Sequence, residues 1–113
     1  MREVEASEIT AVVSRLLKQA GFTLTDDVIR ALEKARREEE SPQGREVLAD
    51  ILKNAAIAQS DSIPLCQDCG TAVIFLEIGQ DVHVTGGDIA AAVDEGVRQA
   101  YREGYLRKSI VAR

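Results

Sequence analysis

The chain has 113 residues, of which 45% are apolar and 29% charged, the composition of an ordinary globular protein. Its length suits one domain or part of one. The net charge is −5, and there are only two Phe, two Tyr and no Trp. Nucleic acid is therefore not expected as a partner, because phosphate binding needs a basic surface and base stacking needs aromatic rings. We interpret the basic residues late in the chain as a solvated surface: Arg102, Arg107, Lys108 and Arg113.

The sequence also bears on location. No apolar run is long enough to cross a bilayer, and the first five residues lack the apolar stretch of a signal peptide. We therefore expect a cytoplasmic protein that makes no membrane contact. Two cysteines, Cys66 and Cys69, lie three positions apart, which in a cytoplasmic chain does not indicate a disulfide scaffold. They have a metal, redox or catalytic role, or no role.

The first half of the chain predicts three helices joined by short connections. The first runs from about Ser7 to Ala20, and Gly21 is placed to stop it. The second follows the N-cap residue Thr25 and ends near Glu39. The third begins at the Ser41–Pro42 pair and runs to about Gln59. Short connections predict that these helices pack as antiparallel neighbours.

The pattern changes in the second half. Residues 63–66 should be extended or irregular, because a residue before proline avoids the helical region. Thr71 to Ile78 is short, apolar and rich in β-branched residues, which predicts a buried strand. A second short strand is predicted at Val82 to Val84. A last helix with an apolar stripe follows Asp88 and ends at Gly104.

These elements predict an α+β fold. It comprises an N-terminal three-helix cluster, a short pair of strands and a further helix, as a fragment of a larger α/β catalytic domain. Within residues 1–113 we separate a helical lead-in, 1–60, from a strand and helix segment that carries the cysteines, 61–113. The last residues, 106–113, resemble the start of another extended segment.

Three interpretations compete for the sequence Cys66-Gln67-Asp68-Cys69. A thioredoxin-like redox pair needs its first cysteine at the start of a helix, whereas a strand pattern follows here. A structural zinc site needs four ligands, and the chain offers two cysteines and one histidine, His83, which we interpret as structural. The third interpretation uses Cys66 alone as a ligand, since a thiolate suits an iron–sulfur cluster. From spacing alone, two thiols without a role explain the pattern better.

The segment Ile63-Pro64-Leu65-Cys66-Gln67-Asp68-x-Gly70-Thr71-Ala72 resembles the cysteine motif of class I fumarate hydratases and the related tartrate dehydratases, in their alpha or N-terminal portion. Flanking sequences resemble the same family in the same order, at residues 40–46, 54–55, 79–83, 86–88, 95–98 and 104–109. The resemblance covers essentially the whole chain. Several motifs in order are far more specific than any one of them.

The resemblance implies an oxygen-sensitive hydro-lyase that interconverts fumarate and malate, as in the tricarboxylic acid cycle, or dehydrates tartrate. Such enzymes use a [4Fe–4S] cluster held by three cysteines, whose open iron acts as a Lewis acid. It implies Cys66 as the first cluster ligand and Gln67 and Asp68 as substrate-binding residues. It implies Arg107 as a ligand of a substrate carboxylate, which the planar guanidinium suits. It leaves the catalytic base unassigned.

The sequence departs from the family pattern in two respects. Cys69 stands where the family usually has threonine, and we do not assign it as a ligand. The other cluster cysteines and binding residues belong to later segments and to a beta subunit or domain, which we expect as partners together with a small dicarboxylate. We expect this chain alone to hold no stable cluster and to be inactive. The alternative is a folding or assembly module that self-associates into a homo-oligomer through exposed strand edges and apolar faces.

Overall fold

The computed structural model describes residues 1–110, and Arg113 of the basic group lies outside them. Within these residues the α+β class predicted from the sequence is confirmed. The elements are β1 (Arg2–Glu5), α1 (Ala6–Phe22), α2 (Asp26–Glu38), α3 (Pro42–Asp61), β2 (Val82–Thr85) and α4 (Ile89–Glu103).

Capping residues explain where two of the helices begin. At the start of α3, Pro42 occupies the first turn, and the Ser41 hydroxyl accepts a hydrogen bond from the Gly44 N–H at 3.2 Å. At the start of α4, the Asp88 carboxylate accepts one from the Ala91 N–H at 2.9 Å. These local bonds satisfy N–H groups that have no partner within the helix.

The prediction that Gly21 stops α1 is wrong, because the helix continues through Phe22. Gly21 instead allows a close approach: a Cβ atom at this position would lie 2.5 Å from Cδ2 of Leu106. Glycine at this position therefore lets the segment after α4 pack directly on α1.

The helices pack as two pairs, α1 against α4 and α2 against α3, with a smaller contact between α1 and α3. Gly96 brings α4 close to α1, since a Cβ there would lie 2.7 Å from the carbonyl oxygen of Thr10. The Thr10 hydroxyl donates a hydrogen bond to the Ala92 carbonyl at 2.8 Å. Lys18 and Glu103 form an ion pair at 2.7 Å. The main partner of α1 is thus the helix furthest from it in the sequence.

The strand pair differs from the predicted one. β2 pairs in parallel with β1, in the register from Arg2 opposite Val82 to Glu5 opposite Thr85. The prediction of a strand at Thr71–Ile78 is wrong, because these residues have no regular secondary structure. A strand requires a neighbour to receive its backbone hydrogen bonds. Among the described residues, β2 takes the N-terminal strand and nothing pairs with Thr71–Ile78.

The described chain is elongated and buries little apolar surface. Its radius of gyration is 18.0 Å, whereas a compact domain of this length has about 13 Å. The buried apolar side chains are mostly alanine: Ala6, Val13, Ala55, Ala58, Leu65, Ala92, Ala100 and Leu106. In the same residues, 1–110, no helix has both the length and the hydropathy to span a bilayer.

Candidate functional site

The loop of residues 63–70, which we call the cysteine loop, follows α3 and is anchored by Leu65. The Leu65 side chain is buried against Ala55 and Ala58 of α3. Its N–H donates a hydrogen bond to the carbonyl of Gly21 at 2.8 Å. The residue before the first cysteine is therefore fixed to two helices at once.

Cys66 follows this anchor and is exposed. Its backbone N–H donates a hydrogen bond to Oδ1 of Asn54, on α3, at 3.2 Å. The next N–H, that of Gln67, donates to the Leu65 carbonyl at 2.8 Å, which closes a tight turn. Cys66 and Gln67 are both exposed. The loop thus presents a thiol and an amide to solvent from a backbone that is held in place.

Asp68 is the best-connected polar residue of the loop. Its Oδ1 accepts hydrogen bonds from the Gly70 N–H, at 3.0 Å, and from the Ser109 hydroxyl. The pKa of Asp68 is lowered by the Ser109 hydroxyl, then by the Gly70 N–H, with a further contribution from the positive charge of Arg107. The carboxylate is therefore anionic at neutral pH. Both of these bonds end on Oδ1.

Arg107 comes to this loop from the segment that follows α4. The neighbouring Leu106 is buried and packs on Gly21, the residue that also accepts the hydrogen bond of Leu65. Gly70 allows the segment to lie against the loop, since a Cβ there would be 2.9 Å from Cγ1 of Ile110. The structure thus brings the exposed Arg107 near Asp68 across about forty positions of sequence, consistent with its effect on the Asp68 pKa.

The two cysteines differ in environment. Cys69 is half-buried, and its thiol lies 3.9 Å from the carbonyl oxygen of Gln67. Its own carbonyl accepts a hydrogen bond from the Tyr101 hydroxyl. Burial raises the pKa of Tyr101, and nearby Cys69 and Asp68 raise it further, so the hydroxyl keeps its proton and acts as a donor. Of the two thiols, Cys66 is the accessible one.

A complete metal site does not arise from these residues. Across residues 1–110, no group of three or more His, Cys, Asp or Glu side chains is arranged to hold a metal ion. His83 lies exposed on β2, opposite Glu3, and no hydrogen bond described for the chain joins it to the cysteine loop. The sequence contains two cysteines in all. The donor set therefore does not fit a cluster that needs three cysteine ligands, although the exposed Cys66 fits a single ligand.

Known proteins resemble most of this chain in sequence. The sequence model of the family described as fumarate hydratase (fumerase) matches residues 10–113. The chain belongs to the fumarate hydratase family. It is 36% identical over 105 residues to the protein assigned as L(+)-tartrate dehydratase subunit alpha in Methanocaldococcus jannaschii. It is 42% identical over 74 residues to the aerobic class I fumarate hydratase of Escherichia coli, and 39% identical over 85 residues to fumarate hydratase 2 of Leishmania major.

The matched regions cover different shares of the proteins. They take in 92%, 66% and 72% of this chain, but only 37%, 13% and 15% of the three relatives, in the same order. The chain thus spans little more than a third of the tartrate dehydratase subunit and less than a sixth of the other two relatives. The relatives named are hydro-lyases, and two names in the family, including the Escherichia coli L(+)-tartrate dehydratase, are those of alpha subunits.

The structure adds residues that the sequence did not single out. Asn54, Tyr101 and Ser109 each donate or accept a hydrogen bond at the cysteine loop. Asn54 and Ser109 lie within stretches that resemble the family, which was the available signal. Tyr101 lies on the apolar stripe of α4, where the sequence favours a role in packing only.

Proposed function

We propose that this chain is the N-terminal portion of the alpha subunit of a hydro-lyase of the class I fumarate hydratase type. Its reaction is the reversible hydration of fumarate to malate or the dehydration of tartrate. The observation that carries the proposal is the hydrogen bond from Ser109, two residues after Arg107, to Asp68 of the loop that also carries Cys66 and Gln67. Family membership supports the reaction class.

The charges at the loop suit a hydroxylated dicarboxylate. Arg107 carries a planar guanidinium that can bind one substrate carboxylate through two parallel hydrogen bonds. Asp68 is anionic, and its Oδ2 can accept a hydrogen bond from a substrate hydroxyl. The Gln67 amide can both donate to and accept from the same substrate. A positive and a negative group side by side favour a ligand that carries both a carboxylate and a hydroxyl.

Cys66 is the residue we assign to the metal. An exposed thiol on a fixed backbone is suited to ligate iron, and three cysteines are needed for a [4Fe–4S] cluster of this type. The other two would come from the rest of the alpha subunit, and a beta subunit or domain would complete the substrate site. In the complete enzyme the bound cluster supplies a Lewis acid. A cytoplasmic location stays a prediction from the sequence.

The two cysteines provide a matched test. In the complete enzyme, Cys66→Ser should abolish the cluster absorbance and the hydratase activity, whereas Cys69→Ser, three residues away in the same loop, should retain both. Iron and sulfide are measured by chemical analysis, and activity by the absorbance of fumarate. If Cys66→Ser keeps both the cluster and the activity, the assignment of Cys66 is wrong.

A second function is supported by the exposed apolar surface. Val73 is 68% exposed and Phe75 is 94% exposed, and the segment that carries them runs beside an apolar groove of about 470 Å³ on α1. Such a surface favours association with another protein surface or with a second copy. As an assembly module, the 113-residue chain would be inactive, would contain no iron or sulfide and would form oligomers. A monomer at high concentration in light scattering would contradict this function.

A further inference from the structure

The cysteine loop is held from outside by side chains of three different segments, two of which bond its backbone and one the Asp68 carboxylate. Asn54 lies on α3, Tyr101 on α4, and Ser109 in the segment after α4. We infer that these three are positioning residues, which fix the loop in the conformation in which Cys66, Gln67 and Asp68 meet their ligands. Their role at the active site rests on the proposed function, although the hydrogen bonds themselves do not.

Asn54 acts on the first cysteine. Its Oδ1 accepts the hydrogen bond from the Cys66 N–H at 3.2 Å, and its own position is set by the buried Ala55 and Ala58 that follow it on α3. Backbone N–H groups in an irregular loop lack the partners that a helix or a sheet provides. The Asn54 side chain therefore replaces a regular backbone partner at the residue that carries the exposed thiol.

Tyr101 acts at the other end of the turn. Its hydroxyl donates to the carbonyl of Cys69, and its ring lies on the apolar side of α4, next to the fully buried Ala100. Since α4 is packed closely on α1, a donor on α4 is a fixed point. The bond is partly buried, so water competes less for the carbonyl than it would at an exposed site.

Ser109 acts on the carboxylate between these two points. Its hydroxyl donates to Oδ1 of Asp68, the oxygen that also accepts the Gly70 N–H. These two bonds on one oxygen hold the carboxylate in one orientation. Ser109 is two residues from Arg107, so the same segment delivers the guanidinium and orients the carboxylate beside it.

These contacts account for the order of a loop that contains no helix or strand. Between Cys66 and Gly70 the hydrogen bonds within the loop join residues only two positions apart: Gln67 to Leu65, Gly70 to Asp68 and Cys69 to Gln67. Local bonds of this kind close turns but do not fix a loop relative to the rest of the protein. Loss of an external contact should therefore loosen the loop without unfolding the helices.

Amide hydrogen exchange of the 113-residue chain, measured by NMR, tests this inference. Tyr101→Phe removes only a hydroxyl, and Tyr105→Phe is its matched control, because Tyr105 is 84% exposed. We expect Tyr101→Phe to raise the exchange rates of the Cys66 and Gly70 amides about fivefold, the factor that corresponds to one hydrogen bond. The amide of Ala100 should exchange as in the wild type, and Tyr105→Phe should change none of these rates.

Substitutions of Ser109 provide a second test by hydrogen exchange. Ser109→Ala should raise the exchange of the Gly70 amide by a similar factor, and Ser109→Thr, which retains the hydroxyl, should restore the wild-type rate. Ser60→Ala, at an exposed serine of α3, is the control and should have no effect. Rescue by threonine separates a role of the hydroxyl from a general effect on packing.

Two results would overturn the inference. One is unchanged exchange at the loop amides in both Tyr101→Phe and Ser109→Ala. The other is a uniform rise across the chain, including Ala100, which would mean that the variants reduce global stability. Failure of the proposed function has a different signature: Cys66→Ser would then retain activity in the complete enzyme, while the exchange pattern of the loop variants would stay as expected.

Discussion

The cysteine loop, residues 63–70, and the segment that follows it, residues 71–78, both lack regular secondary structure, yet they are held very differently. The loop has a buried anchor, Leu65. It donates hydrogen bonds to α1 and α3 and accepts them from α4 and from the segment after α4. In the described part of the chain, no backbone hydrogen bond is found for residues 71–78, and Phe75 is almost fully exposed.

The composition of a segment therefore does not decide how firmly it is held. Residues 71–78 have the apolar, β-branched sequence of a buried strand, but the described residues supply no strand beside them. The loop contains a proline, a glycine and the polar pair Gln67 and Asp68, none of which favours a strand, yet side chains from elsewhere bond its backbone groups. An irregular segment can therefore be better held than one with strong strand propensity, provided that its polar groups have partners.

Loss of the Leu65 side chain, which anchors the cysteine loop, should have the largest effect on the free energy of unfolding. Leu65→Ala deletes a buried side chain and should lower the free energy of unfolding by about 3 kcal/mol. Ile63→Ala, at a side chain that is 46% exposed, should change it by only about 0.5 kcal/mol. Urea unfolding followed by circular dichroism measures both. Equal losses in the two variants would mean that Leu65 does not anchor the loop.

The close contact of α1 with α4 should be the next most sensitive feature, since α4 carries Tyr101. Gly96→Ala places a methyl group 2.7 Å from the Thr10 carbonyl oxygen, which is backbone and cannot easily move. We expect a loss of about 1 to 2 kcal/mol, with overpacking exceeding the gain in helix propensity. At Gly79 the nearest atom to an added Cβ is 3.9 Å away, so Gly79→Ala should be close to neutral. Thermal unfolding distinguishes the two.

A substitution in the exposed segment, residues 71–78, should change self-association and leave the stability nearly unchanged. Phe75→Ser should leave the free energy of unfolding within about 0.5 kcal/mol of the wild type. It should also reduce any self-association seen by light scattering, because it removes the most exposed aromatic ring. Phe22→Ser is the contrasting variant: Phe22 lies against Gly104, so its loss should lower stability instead. Unchanged association in Phe75→Ser would exclude this segment as the contact surface.

The smallest effect is expected at the ion pair between α1 and α4. Lys18 lowers the pKa of Glu103, first through a hydrogen bond and then through its charge. A carboxyl whose pKa is lower in the folded state stabilises the fold above its unfolded pKa, and this contribution is lost as the pH falls through the folded value. Glu103→Gln should therefore be slightly less stable than the wild type at pH 7 and equally stable at low pH. A constant difference across the pH range would exclude this ionisation as its cause.

The parts of the molecule that depend on local signals could be predicted from the sequence. The Ser41–Pro42 start of α3 and the end of α4 at Gly104 follow from capping residues, and both were found. β1 was missed because its four residues acquire a strand conformation only by pairing with β2, eighty positions away. The same reason explains the wrong strand at Thr71–Ile78, since pairing depends on residues distant in the sequence.

The candidate site also combines residues that the sequence indicated with contacts that depend on residues distant in the sequence. The family motif singled out Cys66, Gln67, Asp68 and Arg107, and their roles stay predictions. Only the resemblance indicated that Arg107 acts together with Asp68. In the structure, the approach of Arg107 to the loop depends on the packing of Leu106 on Gly21, which local sequence signals do not predict. The contact from Tyr101 was not predictable, since a tyrosine on an apolar helix stripe gives no indication of where its hydroxyl points.

Substitutions of two neighbouring basic residues, Arg107 and Lys108, are the most direct test of whether the cysteine loop and Arg107 act as one site. In the complete enzyme, Arg107→Lys keeps the charge but removes the planar fork. We expect kcat/KM for the dicarboxylate to fall about tenfold to a hundredfold, the loss expected for a charge-assisted hydrogen bond. Lys108→Arg, one residue further along on the exposed surface, should change it less than about twofold. Equal values of kcat/KM in the wild type and Arg107→Lys would mean that Arg107 does not act with the cysteine loop on the substrate carboxylate.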